Sequence, residues 1–306
     1  MPTYNDTSRQ TSGVLLPTDI SSEIWAKTIE QSAFMQIANR ITIPGTGTKV
    51  QTITGEPVAQ WVDETNAKPV GFHSFGNKTI TPYKMAVIEP FSDEFRRDKK
   101  ALYDECVRRL PGALSKLFDQ TIMGTSAPGS GFDVLGTGVT KKSILPDTGV
   151  TVYDRFVGID GDVSAADGIM NGIVLSPQGK SIVLGATDTT GHPLFTAGVD
   201  SNTLGSILGS SVAVSKGVYV AGKASPATAA VVGVAGDFSG VRWGSVDGIK
   251  MKVSDQATLT YKDGSNNDVT LNLWQQNMFA VLFEIEVAFA VMDKSQLFLL
   301  TGATPS

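Results

Sequence analysis

Residues 279–291 read Phe-Ala-Val-Leu-Phe-Glu-Ile-Glu-Val-Ala-Phe-Ala-Val, and every second residue from Phe279 to Val291 is bulky and apolar. The alternate positions carry alanine, leucine and two glutamates, Glu284 and Glu286. A helix would spread this pattern around its surface, whereas a strand places each set on one face. A strand of this length spans roughly 40 Å, much more than a typical strand. The stretch therefore predicts a long sheet strand within an elongated, slab-like domain.

The composition fits a folded protein of one or two domains, since 41% of the 306 residues are hydrophobic and 18% are charged. The formal net charge of −5 argues against a protein that grips nucleic acid through a basic surface. One cysteine, Cys106, can form no internal disulfide, and no Cys/His cluster has zinc-site spacing. With only two histidines, His73 and His192, the sequence disfavours enzymes that use a histidine base.

The first residues, Met1 to Gly13, are polar and lack the apolar segment of a signal peptide. No run of 18 uncharged apolar residues follows. We therefore expect assembly in a reducing cytoplasm, without export or membrane insertion.

Two helical regions flank a strand-rich stretch. Asp19 can cap a short helix whose apolar residues recur at steps of three and four, and 33–40 could extend it. A long helix is predicted from Ser92, its proposed N-cap, to Met123. Pro111 lies inside this pattern and should bend or divide the helix.

The segment 46–80 has no sustained apolar face. Glycines, prolines and scattered aromatic residues fill 55–77, so this stretch cannot bury itself on its own chain. Two alternatives stay open: a flexible loop, or a hairpin that packs on another subunit.

After Gly124, about 110 residues of short mixed elements suggest a compact α/β domain inserted between flanking segments. Candidate strands are 169–175, 217–220 and 229–234, and 204–208 could form a helical turn.

Two motifs in this region suggest ligand sites, but other readings are favoured. The sequence Gln178-Gly179-Lys180-Ser181 mimics the end of a phosphate-binding loop, yet the required earlier glycine is Val174, so we interpret it as an exposed turn. Asp160, Asp162 and Asp167 lack calcium-loop spacing and are read as a solvated turn.

Glu284 and Glu286 could suggest acid/base chemistry, but a solvated face or a basic neighbour is the favoured interpretation. We therefore expect no cofactor, no metal site and no catalytic constellation.

The order of elements resembles the major capsid proteins of tailed double-stranded DNA bacteriophages, the HK ninety-seven-like fold of class α+β. The resemblance is carried by Gly13-Val14-Leu15-Leu16-Pro17, Trp61-Val62-Asp63-Glu64 with Lys68-Pro69 and Phe75, Ser92-Asp93-Glu94-Phe95, 119–124, 173–177, 191–194, Gly236-Asp237-Phe238-Ser239, and Asn277 with Glu284.

The resemblance implies a long spine helix, long peripheral-domain strands, an extended β-hairpin called the E-loop and an inserted α/β axial domain. The implied segments are an N-terminal arm (1–13), the start of the peripheral domain (14–45), the E-loop (46–80), the peripheral domain with the spine helix (81–124), the axial domain (125–250), the long peripheral strands (251–292) and a C-terminal strand and tail returning to the axial domain (293–306).

The resemblance also implies a structural role: hexamers and pentamers of this chain form an icosahedral shell around packaged DNA, which is enclosed without specific binding. The implied location is the virion, after assembly in the host bacterial cytoplasm. Implied partners are a portal protein, a separate scaffolding protein and a decoration protein; with about a dozen polar residues before Gly13, scaffolding could also be absent. The E-loop residues expected to contact a neighbouring subunit are Trp61, Glu64, Lys68, Phe72 and Phe75.

In some members of the family, an isopeptide bond crosslinks neighbouring subunits of the shell covalently. Lys68, Asn277 and Glu284 match the lysine, asparagine and base positions, although these residues could instead serve packing or hydrogen bonding. Two further functions stay open: an encapsulin-like shell, and a soluble α/β enzyme or binding module.

Overall fold

Two large β-sheets, two β-hairpins and five α-helices make up the part of the chain that the computed structural model describes: residues 18–54, 61–62, 68, 74–96, 99–187, 192 and 206–303. The helices are α1 (Thr18–Gln31), α2 (Ala33–Ile37), α3 (Lys99–Met123), α4 (Val152–Ala165) and α5 (Pro177–Leu184), with short 3-10 turns at Asp93–Arg96 and Lys216–Val218.

The first large sheet is built around one long strand. Its five strands are β1 (Asn39–Thr42), β4 (Tyr83–Ser92), β10 (Val241–Ser245), β11 (Lys250–Ser254) and β14 (Met278–Val291). Along one side of β14 runs β4, and along the other side run β11 and then β10, all antiparallel to it. The long strand predicted over 279–291 is therefore confirmed.

The bulky face of β14 forms the centre of the main hydrophobic core together with residues of α1, α2 and α3. Phe289 is fully buried, and its ring lies 5.7 Å from that of Phe34 and 6.2 Å from those of Phe118 and Phe132, centroid to centroid. Because each ring comes from a different segment of the chain, this aromatic cluster joins α2, α3 and the loop after α3 to the sheet.

The second large sheet has six strands in the order β5-β15-β9-β6-β8-β7. Their bounds are β5 (Thr140–Ser143), β6 (Gly172–Leu175), β7 (Ser206–Ile207), β8 (Ser210–Val214), β9 (Val231–Gly236) and β15 (Leu297–Thr301). A separate core cluster packs α4 and α5 against this sheet. The C-terminal strand β15 lies between β5 and β9, so the end of the chain returns to the inserted region.

The chain crosses between the two large sheets at Gly236. A Cβ atom there would lie 2.1 Å from the carbonyl oxygen of Gln296, so only glycine fits this approach. Asp237 holds the crossing: its carboxylate accepts hydrogen bonds from the backbone N–H groups of Ile169 and Ser239 and from Asn171 Nδ2. Partial burial raises the pKa of Asp237, but these hydrogen bonds outweigh that effect and lower it overall.

Two hairpins complete the described structure. The first pairs β2 (Thr48–Thr54) with β3 (Ser74–Ile80), and the second pairs β12 (Thr258–Lys262) with β13 (Asp268–Asn272).

The long helix differs from the sequence prediction at its start. Ser92 is the last residue of β4, and its hydroxyl accepts from the N–H of Glu94 in the 3-10 turn, so it does not cap α3, which begins at Lys99. The ladder explains this, because Ser92 pairs with Met278 on β14. Pro111 does not divide α3, since buried residues on both sides of it, Leu110 and Leu114, hold the helix against the core.

Several predictions within the inserted region are wrong. Residues 216–218 form a 3-10 turn where a strand was expected, because Ser215 caps the turn through the N–H of Gly217. Ser206 and Ile207 form β7 instead of a helical turn. The Gln178–Ser181 motif lies in α5, which Ser176 caps.

The predicted axial segment, 125–250, contributes to both large sheets. Because the chain leaves the six-stranded sheet at Gly236, β10 already pairs with β14. The change of sheet therefore precedes the predicted boundary at 250.

Replacing Phe289 by alanine should test the aromatic cluster. We expect the free energy of unfolding of the subunit to fall by about 3–5 kcal/mol, because the change leaves a cavity among three other rings. Glu286→Gln on the opposite face of β14 is the control and should shift it by under ~1 kcal/mol. Urea denaturation measures both, and equal effects would contradict a core centred on this strand.

Candidate assembly surfaces

The hairpin β2–β3 occupies the segment that the sequence left as either a loop or a hairpin. Its strands pair without a break from Thr48 opposite Ile80 to Thr54 opposite Ser74. The described residues of 46–80 therefore form a hairpin, and its packing on another subunit stays a prediction.

The base of this hairpin is fixed to the end of β14. Lys78 Nζ lies 2.6 Å from Asp133 Oδ2 and donates to the carbonyl oxygen of Val291 at 2.5 Å. The same Asp133 oxygen accepts from the N–H of Val291 at 2.7 Å. Beside these contacts, Ile80 is buried in a small cluster with Ile43, Ala288 and Ala290. The alanines matter because their small side chains let the hairpin approach the sheet closely.

Only some of the predicted E-loop contact residues lie in the described part of the chain. Trp61 is fully exposed, at 105% of its reference area, and Lys68 is also exposed. Phe75 lies on β3, with its side chain outside the described part, and Glu64 and Phe72 lie outside the described residues altogether. An exposed tryptophan in such a segment is typical of a contact surface.

The crosslink candidates are not gathered within one subunit. Asn277 is exposed, has a left-handed backbone with φ of 52°, and directly precedes β14. Glu284 lies in the middle of that strand, so about 20 Å of extended chain separates the two residues. Within one chain Glu284 therefore cannot take a proton from an amine that attacks Asn277.

Glu284 belongs to a charged cluster on the outer face of the five-stranded sheet. Its carboxylate lies 3.7 Å from Lys84 Nζ and 3.8 Å from Lys252 Nζ, and that of Glu286 lies 3.8 Å from Lys84 Nζ. Together with Lys250, these residues line a shallow cavity of about 210 Å³. The prediction that Glu284 and Glu286 meet a basic neighbour is confirmed.

Asp119 is a buried carboxyl group that the sequence reasoning used only to mark the end of the long helix. It accepts hydrogen bonds from Ser32 Oγ at 2.7 Å, from the N–H of Ala33 at 3.2 Å and from Ser215. The carboxyl group thus joins α3 to the α1–α2 junction and to the 3-10 turn beside Gly217. Burial raises the pKa of Asp119 to about 6, against the opposing effect of these hydrogen bonds.

A signal for Asp119 is present in the sequence. Asp119 lies between the apolar residues Phe118 and Ile122, so an acidic residue interrupts an otherwise apolar face of the helix. In the structure both apolar residues are fully buried. Sequence alone does not identify its partners, which lie 86 and 87 positions away at Ala33 and Ser32.

Neither a metal centre nor a membrane segment is found in the described part of the chain. No three His, Cys, Asp or Glu side chains there are close enough to hold an ion. None of the helices described has the length and apolar character needed to cross a bilayer.

Solved structures of phage capsids share this architecture of a long strand, a long helix and an inserted sheet. A structure titled Mycobacterium phage Cain matches with a TM-score of 0.68 and 19% identity, covering 90% of this chain and 92% of the other. One titled Gordonia phage Cozz matches at 0.65 and 20%, covering 90% and 87%. The capsid of an empty GTA particle matches at 0.62 and 14%, covering 99% and 95%. The fold is thus the HK ninety-seven-like capsid fold.

Sequence comparison gives the family. Residues 12–302 match the phage capsid family. A protein of Mycobacterium phage L5, described as a probable major capsid protein, is 31% identical over 302 aligned residues, covering 92% of this chain and 87% of the relative. The chain therefore belongs to the phage capsid family.

Replacing Asp119 by asparagine should change how stability depends on pH. Because the folded-state pKa is raised from 3.8 to about 6, the stabilisation by the protonated group is complete below about 4 and is lost as pH rises through 6. Relative to Asp119→Asn, the free energy of unfolding of the wild-type subunit should fall by about 2 kcal/mol between pH 4 and pH 7.

Urea denaturation of free subunits across this range measures the difference. Asp247→Asn, at an exposed position, is the control and should show no such trend. Parallel pH profiles for wild type and Asp119→Asn would contradict the assignment.

Proposed function

We propose that this chain is a major capsid protein whose hexamers and pentamers form a closed icosahedral shell around packaged double-stranded DNA. The observation that carries the proposal is the hairpin β2–β3. Its base is locked to the sheet by Lys78 and Ile80, while Trp61, in the segment between its strands, is fully exposed. An exposed tryptophan between two strands whose base is fixed to the sheet is explained if a second copy of the chain covers its side chain.

The charge of the chain supports enclosure of DNA without specific binding. A subunit with 30 acidic and 25 basic side chains repels the phosphate backbone on average. We propose the virion as its location, after assembly in the host bacterial cytoplasm. Proposed partners are a portal protein, a separate scaffolding protein and a decoration protein.

An encapsulin-like shell is the second candidate, because it would use the same fold and the same closed assembly. The contents of purified particles separate the two: packaged DNA in infected cells supports the capsid, and an enclosed enzyme supports the alternative. The match to a capsid family over 12–302 argues against a soluble α/β enzyme or binding module.

Electron microscopy of the expressed chain, alone and with a scaffolding protein, tests the proposal. We expect closed shells from wild type, and at least a tenfold lower yield from Trp61→Ser, because serine removes the apolar contact but not the hairpin. Trp61→Phe keeps most of the ring area and should restore assembly. A wild-type chain that stays a discrete monomer or dimer under all conditions would contradict the proposal.

We also propose the isopeptide crosslink as a reaction of the assembled shell. Neutral Lys68 Nζ would attack the side-chain carbonyl carbon of Asn277, a carboxylate would take the lysine proton, and ammonia would leave as the new amide forms. Because Glu284 lies about 20 Å along the strand from Asn277 in its own subunit, Glu284 can act as the base only if it comes from a neighbouring copy. Free subunits should therefore be unreactive.

Denaturing gel electrophoresis of boiled particles tests this reaction. We expect a ladder of multiples of 32.3 kDa from shells and a single band from free subunits. Lys68→Arg keeps the positive charge but removes the nucleophile, so its shells should give one band. A single band near monomer mass from wild-type shells would rule the crosslink out.

A further inference from the structure

The contact between the long helix α3 and the six-stranded sheet is made partly through one short turn. Residues Lys216–Val218 form the 3-10 turn that follows β8, and the hydroxyl group of Ser215 caps it by accepting from the N–H of Gly217 at 3.2 Å. The turn lies directly against α3, because a Cβ atom on Gly217 would be 2.7 Å from Asp119 Cβ and 2.7 Å from the carbonyl oxygen of Lys116. Only glycine fits this close approach.

Ser215 ties the turn to both neighbouring parts of the subunit. Its N–H donates to the carbonyl oxygen of Leu175 at the end of β6, and its hydroxyl group donates to the Asp119 carboxyl group. Ser215 is 7% exposed, and Asp119 is fully buried. The turn is thus held on the helix through a carboxyl group that has no contact with water.

Within the described part of the chain, no ion pair compensates for the burial of Asp119. The charged residues next to it on the elements that pack around it are Lys116 on α3, Glu30 near the end of α1 and Lys216 in the turn, and all three are exposed. Burial, opposed only by hydrogen bonds, sets the pKa of Asp119 at about 6. The ionised form therefore gains most if the structure around it opens to water.

The turn is the segment around Asp119 that opens at least cost. The α1–α2 junction continues directly into Phe34, which is fully buried in the aromatic cluster around β14. The turn has only three residues, and its backbone hydrogen bond, from the N–H of Val218 to the carbonyl oxygen of Ser215, is 3.4 Å long, well above the usual 2.9–3.0 Å. Opening the turn exposes Val218 but leaves the sheets and the α-helices in place.

We propose that the turn Lys216–Val218 is a pH-sensitive latch, closed on α3 while Asp119 carries a proton and opened locally when Asp119 loses it. A carboxyl group with a higher pKa in the closed form binds its proton more tightly there, so the closed form is most favoured below about pH 4 and becomes less favoured up to about pH 6. At neutral pH the six-stranded sheet therefore loses one of its ties to the long helix for part of the time. This latch belongs to the single subunit and does not depend on shell formation.

Amide hydrogen exchange of free subunits at pH 5 and pH 7.5, corrected for the intrinsic pH dependence of exchange, tests the latch. We expect the open fraction at the amides of 217 and 218 to rise about tenfold between these pH values, the limit set by pKa values of 3.8 and about 6. The amide of Gly179, which the buried Ser176 caps in the same way at the start of α5, is the internal control and should change less than twofold. An equal open fraction at both pH values would overturn the proposal.

Two variants separate the proton from the contact. Asp119→Asn keeps the shape of the side chain but cannot ionise, so the open fraction at 217 and 218 should be the same at both pH values. Gly217→Ala adds a Cβ atom that forces the turn away from α3, so fast exchange is expected at both. Circular dichroism checks that each variant is folded, and the wild-type comparison with Gly179 stands without them. A tenfold rise that persists in Asp119→Asn would assign the pH dependence to another group and would also overturn the latch.

Discussion

The two faces of β14 meet different surroundings, and the rest of the subunit depends on that difference. On one face Phe279, Phe283 and Phe289 are buried against the helices. The other face has alanines near its C-terminal end, where the base of the hairpin β2–β3 packs, and glutamates in its middle, where lysines meet them. One strand thus anchors the long helix, holds the base of the hairpin β2–β3 and presents a charged surface.

The C-terminal part of the chain also ties the two large sheets together. After β14 the chain turns and forms β15 inside the six-stranded sheet, while the crossing at Gly236 and Asp237 runs in the opposite direction. Two connections side by side restrict how the sheets can rotate against each other. Asp119 adds a third restraint, since its hydrogen bonds join the long helix to the first helices and to the inserted region.

How much of this could be predicted from the sequence depended on how local the signal was. The pattern of 279–291 and the apolar repeat of the long helix are local, and both elements are present. The start of that helix was misplaced because Ser92 has the residue type of an N-cap but is held in a ladder by Met278, 186 positions away. The same limit hid Asp119, whose partners are distant in the sequence. The separation of Asn277 from Glu284, in contrast, follows from the predicted strand itself.

Amide hydrogen exchange of the free subunit at β14 tests the central claim most directly. If this strand is the element on which the fold depends, its amides from 279 to 291 should exchange only through global unfolding. In subunits carrying Phe289→Ala, their rates should then rise, relative to wild type, by the factor that matches the loss of overall stability. Exchange of β14 through local opening, at rates that this substitution leaves unchanged, would contradict the account.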